Sequence, residues 1–177
     1  MIYLLLLVTT PALSAAEGGV EEFTHRVTGL FSPAREADLR EAVKRIPDLT
    51  LESVDFDKGA AKFRYDPAVF FKGVKEKDQV ERFNNLLRQA SSHTFGIRAT
   101  GDVAWDKLTL VEIPVAGLDC RACELSAYEY IYRIDGVEQA AVSFKEGRLT
   151  ARIDASKTNR DALIDALKKR QVTIKAP

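Results

Sequence analysis

The only two cysteines of the chain lie in the segment GLDCRAC at residues 117–123. Cys120 and Cys123 are three positions apart, and Asp119 directly precedes the first of them. Residues 108–115, just upstream, are rich in β-branched side chains and predict a strand. The residues that follow carry apolar side chains at helical spacing. Both thiols are therefore expected where a loop enters a helix.

The C-terminal part of the chain, residues 107–177, predicts the element order βαββαβ. This is the split arrangement of ferredoxin-like folds, which belong to the α+β class. The second and third strands alternate in polarity and are joined by a short turn that ends at Gly147. The predicted strands span residues 108–115, 137–144, 149–153 and 172–174, and the helices span 121–133 and a segment opened by the capping box Thr158-x-x-Asp161.

The same pattern occurs a second time, 88 residues earlier in the chain. Between Gly29 and Asp66 the sequence aligns with residues 117–154 without a gap, and 12 of the 38 positions are identical. A repeat of this length indicates two copies of one structural unit. We therefore predict two tandem ferredoxin-like βαββαβ units, at residues 20–99 and 107–177, joined by a linker over 100–106.

The first unit is predicted to follow the same order, with about eight inserted residues over 67–75. This insertion contains the apolar pair Phe70-Phe71, which is expected to pack between the units or to mark a partner surface. The predicted strands span 23–28, 51–56, 61–65 and 93–99, and the helices span 34–45 and a segment from Asp78-x-x-Glu81 to Ala90.

The N-terminal residues 1–16 resemble a signal peptide. An apolar run over 2–8 is followed by Pro11 and by small residues up to Ala16, so cleavage is expected before Glu17. The run is shorter than the roughly 20 apolar residues of a membrane span. No Lys or Arg precedes it, and an uncleaved N-terminal anchor is the alternative. The sequence thus predicts a periplasmic or secreted protein with no later membrane span.

Composition excludes several classes of function. The 26 basic and 26 acidic side chains cancel, so no excess of positive charge points to nucleic acid. No nucleophile–histidine–acid constellation and no phosphate-binding glycine-rich loop is present. We expect the protein not to be an enzyme.

The C-terminal unit resembles the heavy-metal-associated domain of copper chaperones, periplasmic mercury-binding proteins and metal-exporting ATPases. The family pattern is Gly-Met-x-Cys-x-x-Cys, and Leu118 here replaces the methionine. The family also places apolar residues four, eight and eleven positions after the second cysteine and Gly-Val at thirteen and fourteen. Those positions hold Ala127, Ile131, Ile134 and Gly136-Val137. The resemblance implies a metal-binding domain that passes its ion to a metal-transporting or metal-accepting protein.

The expected ligands are the thiolates of Cys120 and Cys123, which favour soft ions over hard ones. Two ligands suit linear Cu(I) or Hg(II), whereas Zn(II) usually takes four. One ion is expected, with Cu(I) as the first choice and Zn(II) or Hg(II) as alternatives. Asp119 either adds a carboxylate ligand that favours a divalent ion or only accepts hydrogen bonds in the loop. Some zinc-, cadmium- and lead-exporting ATPases carry Asp at the same position.

The first unit is predicted to be a degenerate copy without a metal site. Ser32 and Arg35 occupy the positions of the two cysteines, and neither can replace a thiolate. His25 is expected to be a packed strand residue, and His93 could approach Ser32 without forming a site alone.

The leading hypothesis is an exported soft-metal-binding protein, acting as a metallochaperone or a metal-sequestering protein. One alternative is a thiol redox protein that cycles a disulfide between Cys120 and Cys123. Thioredoxin-like proteins usually carry Trp directly before their first cysteine, whereas Trp105 lies fifteen residues upstream here. The other alternative is an interaction module that binds no metal.

Overall fold

The computed structural model describes residues 19–99, 101, 103–116, 120–143 and 145–175. It contains two four-stranded antiparallel sheets, each packed against helices around its own hydrophobic core. None of the helices in these ranges has the length and hydropathy that crossing a membrane requires. The predicted signal peptide over 1–16 lies outside the described residues, as do two positions of the predicted linker, 100 and 102.

The first unit has strand order β2-β3-β1-β4. Phenylalanine and leucine side chains from both helices and the central strand fill its core, so the helical and strand periodicities of the sequence meet on one face of the sheet. Its elements are β1 (Glu21–Thr28), α1 (Arg35–Val43), β2 (Thr50–Asp55), β3 (Ala60–Tyr65), α2 (Pro67–Phe70), α3 (Gln79–Ala90) and β4 (Gly96–Arg98).

The second unit repeats this topology, with strand order β6-β7-β5-β8. The prediction of two βαββαβ units in the α+β class is confirmed. Smaller aliphatic side chains dominate this core, chiefly from the central strands and the buried stripes of the two helices. Its elements are β5 (Thr109–Ala116), α4 (Arg121–Tyr132), β6 (Val137–Ser143), β7 (Arg148–Ile153), α5 (Arg160–Lys168) and β8 (Thr173–Ile174).

Two predicted helix caps and one predicted strand start differ from the structure. Asn159, not Thr158, caps α5, because its side-chain oxygen accepts the Ala162 N–H at 3.0 Å. Asp78 precedes α3 but makes no side-chain capping bond. The last strand of the first unit begins at Gly96 rather than His93, because His93 has φ = +66°, which no extended strand adopts.

The inserted segment after β3 packs on its own unit. Asp66 caps the short helix α2 by accepting the Ala68 N–H at 2.9 Å. The rings of Phe70 and Phe71 lie 4.9 Å and 5.6 Å from the Tyr65 ring, inside the first unit. The expectation that this apolar pair packs between the units was therefore wrong, because Phe71 is buried in the core of the first unit and Phe70 is half-buried against it.

The two units contact each other through a buried ionic cluster. The Glu138 carboxylate on β6 forms ion pairs with two arginines of the first unit. It lies 2.6 Å from the Arg26 Nη1 of β1 and 3.4 Å from the Arg98 Nη2 of β4. Arg98 also donates to the Val137 carbonyl at 3.0 Å, and Arg26 to the Glu138 carbonyl. One carboxylate of the second unit thus joins two strands of the first.

Candidate metal-binding site

The two cysteines lie at the start of α4, as the sequence predicted. Cys120 is the N-cap residue, with extended backbone angles (φ −150°, ψ 157°), and Cys123 lies in the first turn. The Cys120 Sγ accepts the backbone N–H of Cys123 at 3.3 Å. The Cys120 carbonyl accepts the N–H of Glu124 at 3.0 Å, which closes the first helical turn. The thiol of Cys120 therefore takes the place that a Ser or Asp oxygen has at most helix starts.

The two thiols differ in exposure. Cys120 is exposed, whereas Cys123 is half-buried and packs against the core of the second unit. Cys123 is therefore anchored by the fold, whereas Cys120 meets solvent. An ion held between them could be reached from outside by a ligand of another protein.

The electrostatic setting favours the thiolate form of both side chains. The twelve residues of α4 place the positive end of the helix dipole and the N–H groups of its first turn at the cysteines. Negative charge at this position is stabilised, and a thiolate is the form that binds metal.

The role of Asp119 stays a prediction. Asp119, Gly117 and Leu118 lie outside the described residues. In the described part of the chain, no three His, Cys, Asp or Glu side chains are grouped so that they could hold a metal ion. The candidate site built from these residues therefore consists of two cysteines.

The position in the first unit that corresponds to Cys123 is occupied by the positively charged side chain of Arg35. Arg35 opens α1, pairs with Asp38 and lies over the rings of Phe31 and Phe95, at 5.1 Å and 4.9 Å. Burial lowers the pKa of the Arg35 guanidinium, Asp38 opposes this, and the nearby charge of Arg121 lowers it further. A fixed positive charge packed against two rings therefore occupies the position that Cys123 has in the second unit.

Neither histidine supplies a missing ligand. The His25 Nε2 lies 2.9 Å from the Tyr65 hydroxyl, and burial lowers the pKa of His25. This is the packed strand histidine that the sequence predicted. His93 is exposed, and its Nδ1 lies 3.3 Å from an Arg88 guanidinium nitrogen.

Gln171 lies in the connection between α5 and β8 and has an unusual backbone conformation. Gln171 has φ = +60°, in the left-handed region that favours glycine. It lies two residues before Thr173, which pairs with Ala116 at the end of β5.

No family model and no curated protein matches the chain. Several solved structures are similar to it. The CopZ metallochaperone is 24% identical, with a TM-score of 0.37 over 38% of this chain and 100% of that chain. Oxidized MerP from Ralstonia metallidurans CH34 is 24% identical, with a TM-score of 0.36 over 39% of this chain and 99% of that chain. The N-terminal soluble domains of Bacillus subtilis CopA are 18% identical, with a TM-score of 0.36 over 89% of this chain and 94% of that chain. At these identities the likeness concerns the fold alone.

Proposed function

We propose that this protein binds one soft metal ion through Cys120 and Cys123 and passes it to thiolates of another protein. The observation that carries the proposal is the arrangement at the start of α4. Both sulfur-bearing side chains belong to one helical turn, and the Cys123 N–H donates to the Cys120 Sγ at 3.3 Å. Two thiolates at a positive helix end form a site of low coordination number for a soft cation.

Two-coordinate binding favours Cu(I) as the ion, with Hg(II) next. Both ions accept a linear arrangement of two thiolates, whereas Zn(II) usually requires two further ligands. Asp119 could provide one such ligand, which would move the preference toward Zn(II). Cu(I) is therefore the proposed cargo, and the carboxylate of Asp119 is the residue that would change this preference.

Metal transfer follows from the openness of the site. A third thiolate can enter beside the exposed Cys120 before the bond to the half-buried Cys123 breaks, so the ion need not be released into water. The first unit contains no cysteine, so it cannot be the acceptor. The acceptor is therefore another molecule, and a metal-transporting or metal-accepting protein with its own thiolates fits this role.

The predicted signal peptide adds a location to the proposal. A protein exported to the periplasm or secreted would carry its metal outside the reducing cytoplasm. There the cysteine pair must be kept reduced or metal-loaded, because oxidation to a disulfide would abolish binding. The role proposed is binding and transfer, with no catalysed reaction.

The test is a titration of the reduced full chain with Cu(I), Hg(II) and Zn(II), beside a Cys120→Ser/Cys123→Ser variant. Serine is a favourable N-cap residue, so the variant keeps the start of α4 while losing both thiolates. We expect one Cu(I) per chain in the parent and none in the variant. Absence of stoichiometric binding by the reduced parent, or equal binding by the variant, would refute the proposal.

Asp119→Asn and Asp119→Ala separate the two roles of the carboxylate. If Asp119 is a ligand, both variants lose Zn(II) affinity and keep Cu(I) affinity. If it only accepts loop hydrogen bonds, Asp119→Asn leaves the affinities for both ions unchanged.

A further inference from the structure

We propose that the loop over residues 29–35 of the first unit docks onto α4 and the edge strand β6, and thereby fixes the helix that carries the cysteines. This loop is the first unit's counterpart of the metal-binding loop. The docking stands on contacts between the two units that involve no metal ligand. Its effect on metal release rests on the function proposed above.

The first observation is that two adjacent loop residues are buried in two different cores. Leu30 is 2% exposed and belongs to the core of the first unit. Phe31 is also 2% exposed, but its neighbours belong to the core of the second unit, and its ring lies 5.7 Å from the Tyr128 ring. In the repeat alignment Phe31 occupies the position of Asp119. A polar position of the metal loop has thus become an apolar anchor.

The second observation is that backbone groups on both sides of Phe31 are bonded across the interface. The Phe31 carbonyl accepts the N–H of Val142 at 2.9 Å. Because β6 lies at the edge of its sheet, this bond satisfies a group that would otherwise face outward. The N–H of Gly29 donates to the buried Tyr128 hydroxyl at 2.8 Å.

Gly29 is required at this point of the loop. It has φ = +92°, and a Cβ there would lie 2.3 Å from the Thr94 carbonyl oxygen. Burial raises the pKa of Tyr128, so its hydroxyl stays neutral and accepts the Gly29 N–H as an ordinary hydrogen bond. The left-handed turn at Gly29 and its close approach to Thr94 within the first unit therefore require the residue that has no side chain.

The third observation places these contacts near the cysteines. Tyr128 and Tyr132 are four residues apart on one face of α4, and their rings stack at 5.2 Å. The Arg98 guanidinium of the first unit lies over the Tyr132 ring at 5.1 Å. Tyr128 follows Cys123 by five residues, which corresponds to roughly 8 Å along the helix axis. The first unit therefore holds the flank of α4 within about two turns of the thiols.

Two consequences follow for the molecule. Gly29, Leu30 and Phe31 are buried, so this part of the loop is not a surface for an external partner, whereas Pro33 and Ala34 remain exposed. α4 is held at Tyr128 and Tyr132 before metal arrives, and pre-organisation of the helix that carries the cysteines strengthens binding because less freedom is lost on association. The first unit is thus a positioning element for the cysteine pair.

Hydrogen exchange on the reduced, metal-free full chain tests the docking. The test variant is Phe31→Asp, which restores the side chain found at position 119, and the control is Val69→Asp at a 53% exposed site of the same unit. We expect the amides of Val142 and Gly29 to exchange at least about 30-fold faster in Phe31→Asp and unchanged in the control. Amides of β3 should stay protected, which separates undocking from unfolding of the first unit.

Phe31→Leu keeps an apolar anchor and should restore most of the protection. If the exchange rates of Val142 and Gly29 are unchanged in Phe31→Asp, the docking is overturned. The docking is also overturned if the amides throughout β3 lose protection at the same rate as those of Val142 and Gly29, because the first unit would then be unfolding as a whole.

Release of Cu(I) to a chelator then tests positioning. Residues that hold metal ligands in place typically change metal affinity 10- to 100-fold when mutated. We expect release from Phe31→Asp to be about tenfold faster than from the parent. Docking confirmed by exchange together with an unchanged release rate would overturn the positioning role. A parent chain that binds no Cu(I) would refute the proposed function, whereas the exchange experiment would still decide the docking by itself.

Discussion

Replacing Glu138 with alanine should lower the free energy of unfolding by about 3–4 kcal/mol. Glu138 is 8% exposed and its closest partner Arg26 is 11% exposed, with a separation of 2.6 Å between their charged atoms. Arg98, the second partner, is 31% exposed and lies 3.4 Å away. Removal of one member of a buried ion pair leaves the other charge buried and uncompensated, which is strongly destabilising.

Two further variants divide this loss into its parts. Glu138→Gln keeps an oxygen that can accept from Arg26 and should cost about 1–2 kcal/mol. Arg98→Ala should cost a similar amount, because its pair is more solvated but its bond to the Val137 carbonyl is also lost. In a double-mutant cycle, Arg26 and Glu138 should show a coupling energy of about 2 kcal/mol or more, and Arg98 and Glu138 a smaller one.

The assay is urea unfolding of the reduced, metal-free chain, followed by circular dichroism and tryptophan fluorescence. The single tryptophan, Trp105, has the Arg26 and Arg152 guanidinium groups 5.7 Å and 4.9 Å from its ring, so its emission reports on both units. The half-exposed pair Lys62–Glu22 supplies the control, and Glu22→Gln should leave the midpoint unchanged. If Glu138→Ala stays within about 0.5 kcal/mol of the parent, the reasoning about the buried cluster is refuted.

Three other perturbations should have measurable effects. Burial lowers the pKa of His25 from 6.5, so the unfolded chain binds a proton at this side chain more readily than the folded chain does. The melting temperature should therefore fall as the pH drops below 6.5. His25→Gln should flatten this dependence on pH, and an unchanged slope would contradict the assignment. Gln171→Gly should raise the free energy of unfolding by up to about 1 kcal/mol because it removes a left-handed conformation, whereas Gln89→Gly inside α3 should lower it by about 1 kcal/mol. Asn159→Ala should cost about 1 kcal/mol in thermal or urea unfolding while Asn159→Asp should not, and equal losses would count against the observed cap.

The sequence predicted the secondary structure well where one residue pattern decides an element. The alternation over 148–153 and the helical spacing over 121–132 are local patterns, and both elements formed within a few residues of the predicted bounds. The capping residue of α5 was harder to predict. Thr158 and Asn159 are adjacent and both can cap a helix, and only the backbone angles around them determine which side chain reaches the first turn.

The surroundings of the site were less predictable than its ligands. Nothing in the pattern of the sequence distinguishes Phe31, buried in the other unit, from Phe70, which packs on its own unit. Both are apolar residues in loops or short insertions, and their burial depends on which surface is nearby after folding. The assignment of Phe70-Phe71 to the interface failed for this reason.

The sequence by itself determined the two repeated βαββαβ units and the placement of Cys120 and Cys123 at the start of α4. These features depend on periodicity and on groups three residues apart, which a short segment specifies on its own. Only the tertiary structure decided how the first unit holds that helix. The bonds from Gly29 to Tyr128 and from Arg26 to Glu138 join residues 99 and 112 positions apart, so they exist only once both units have folded and their surfaces fit together.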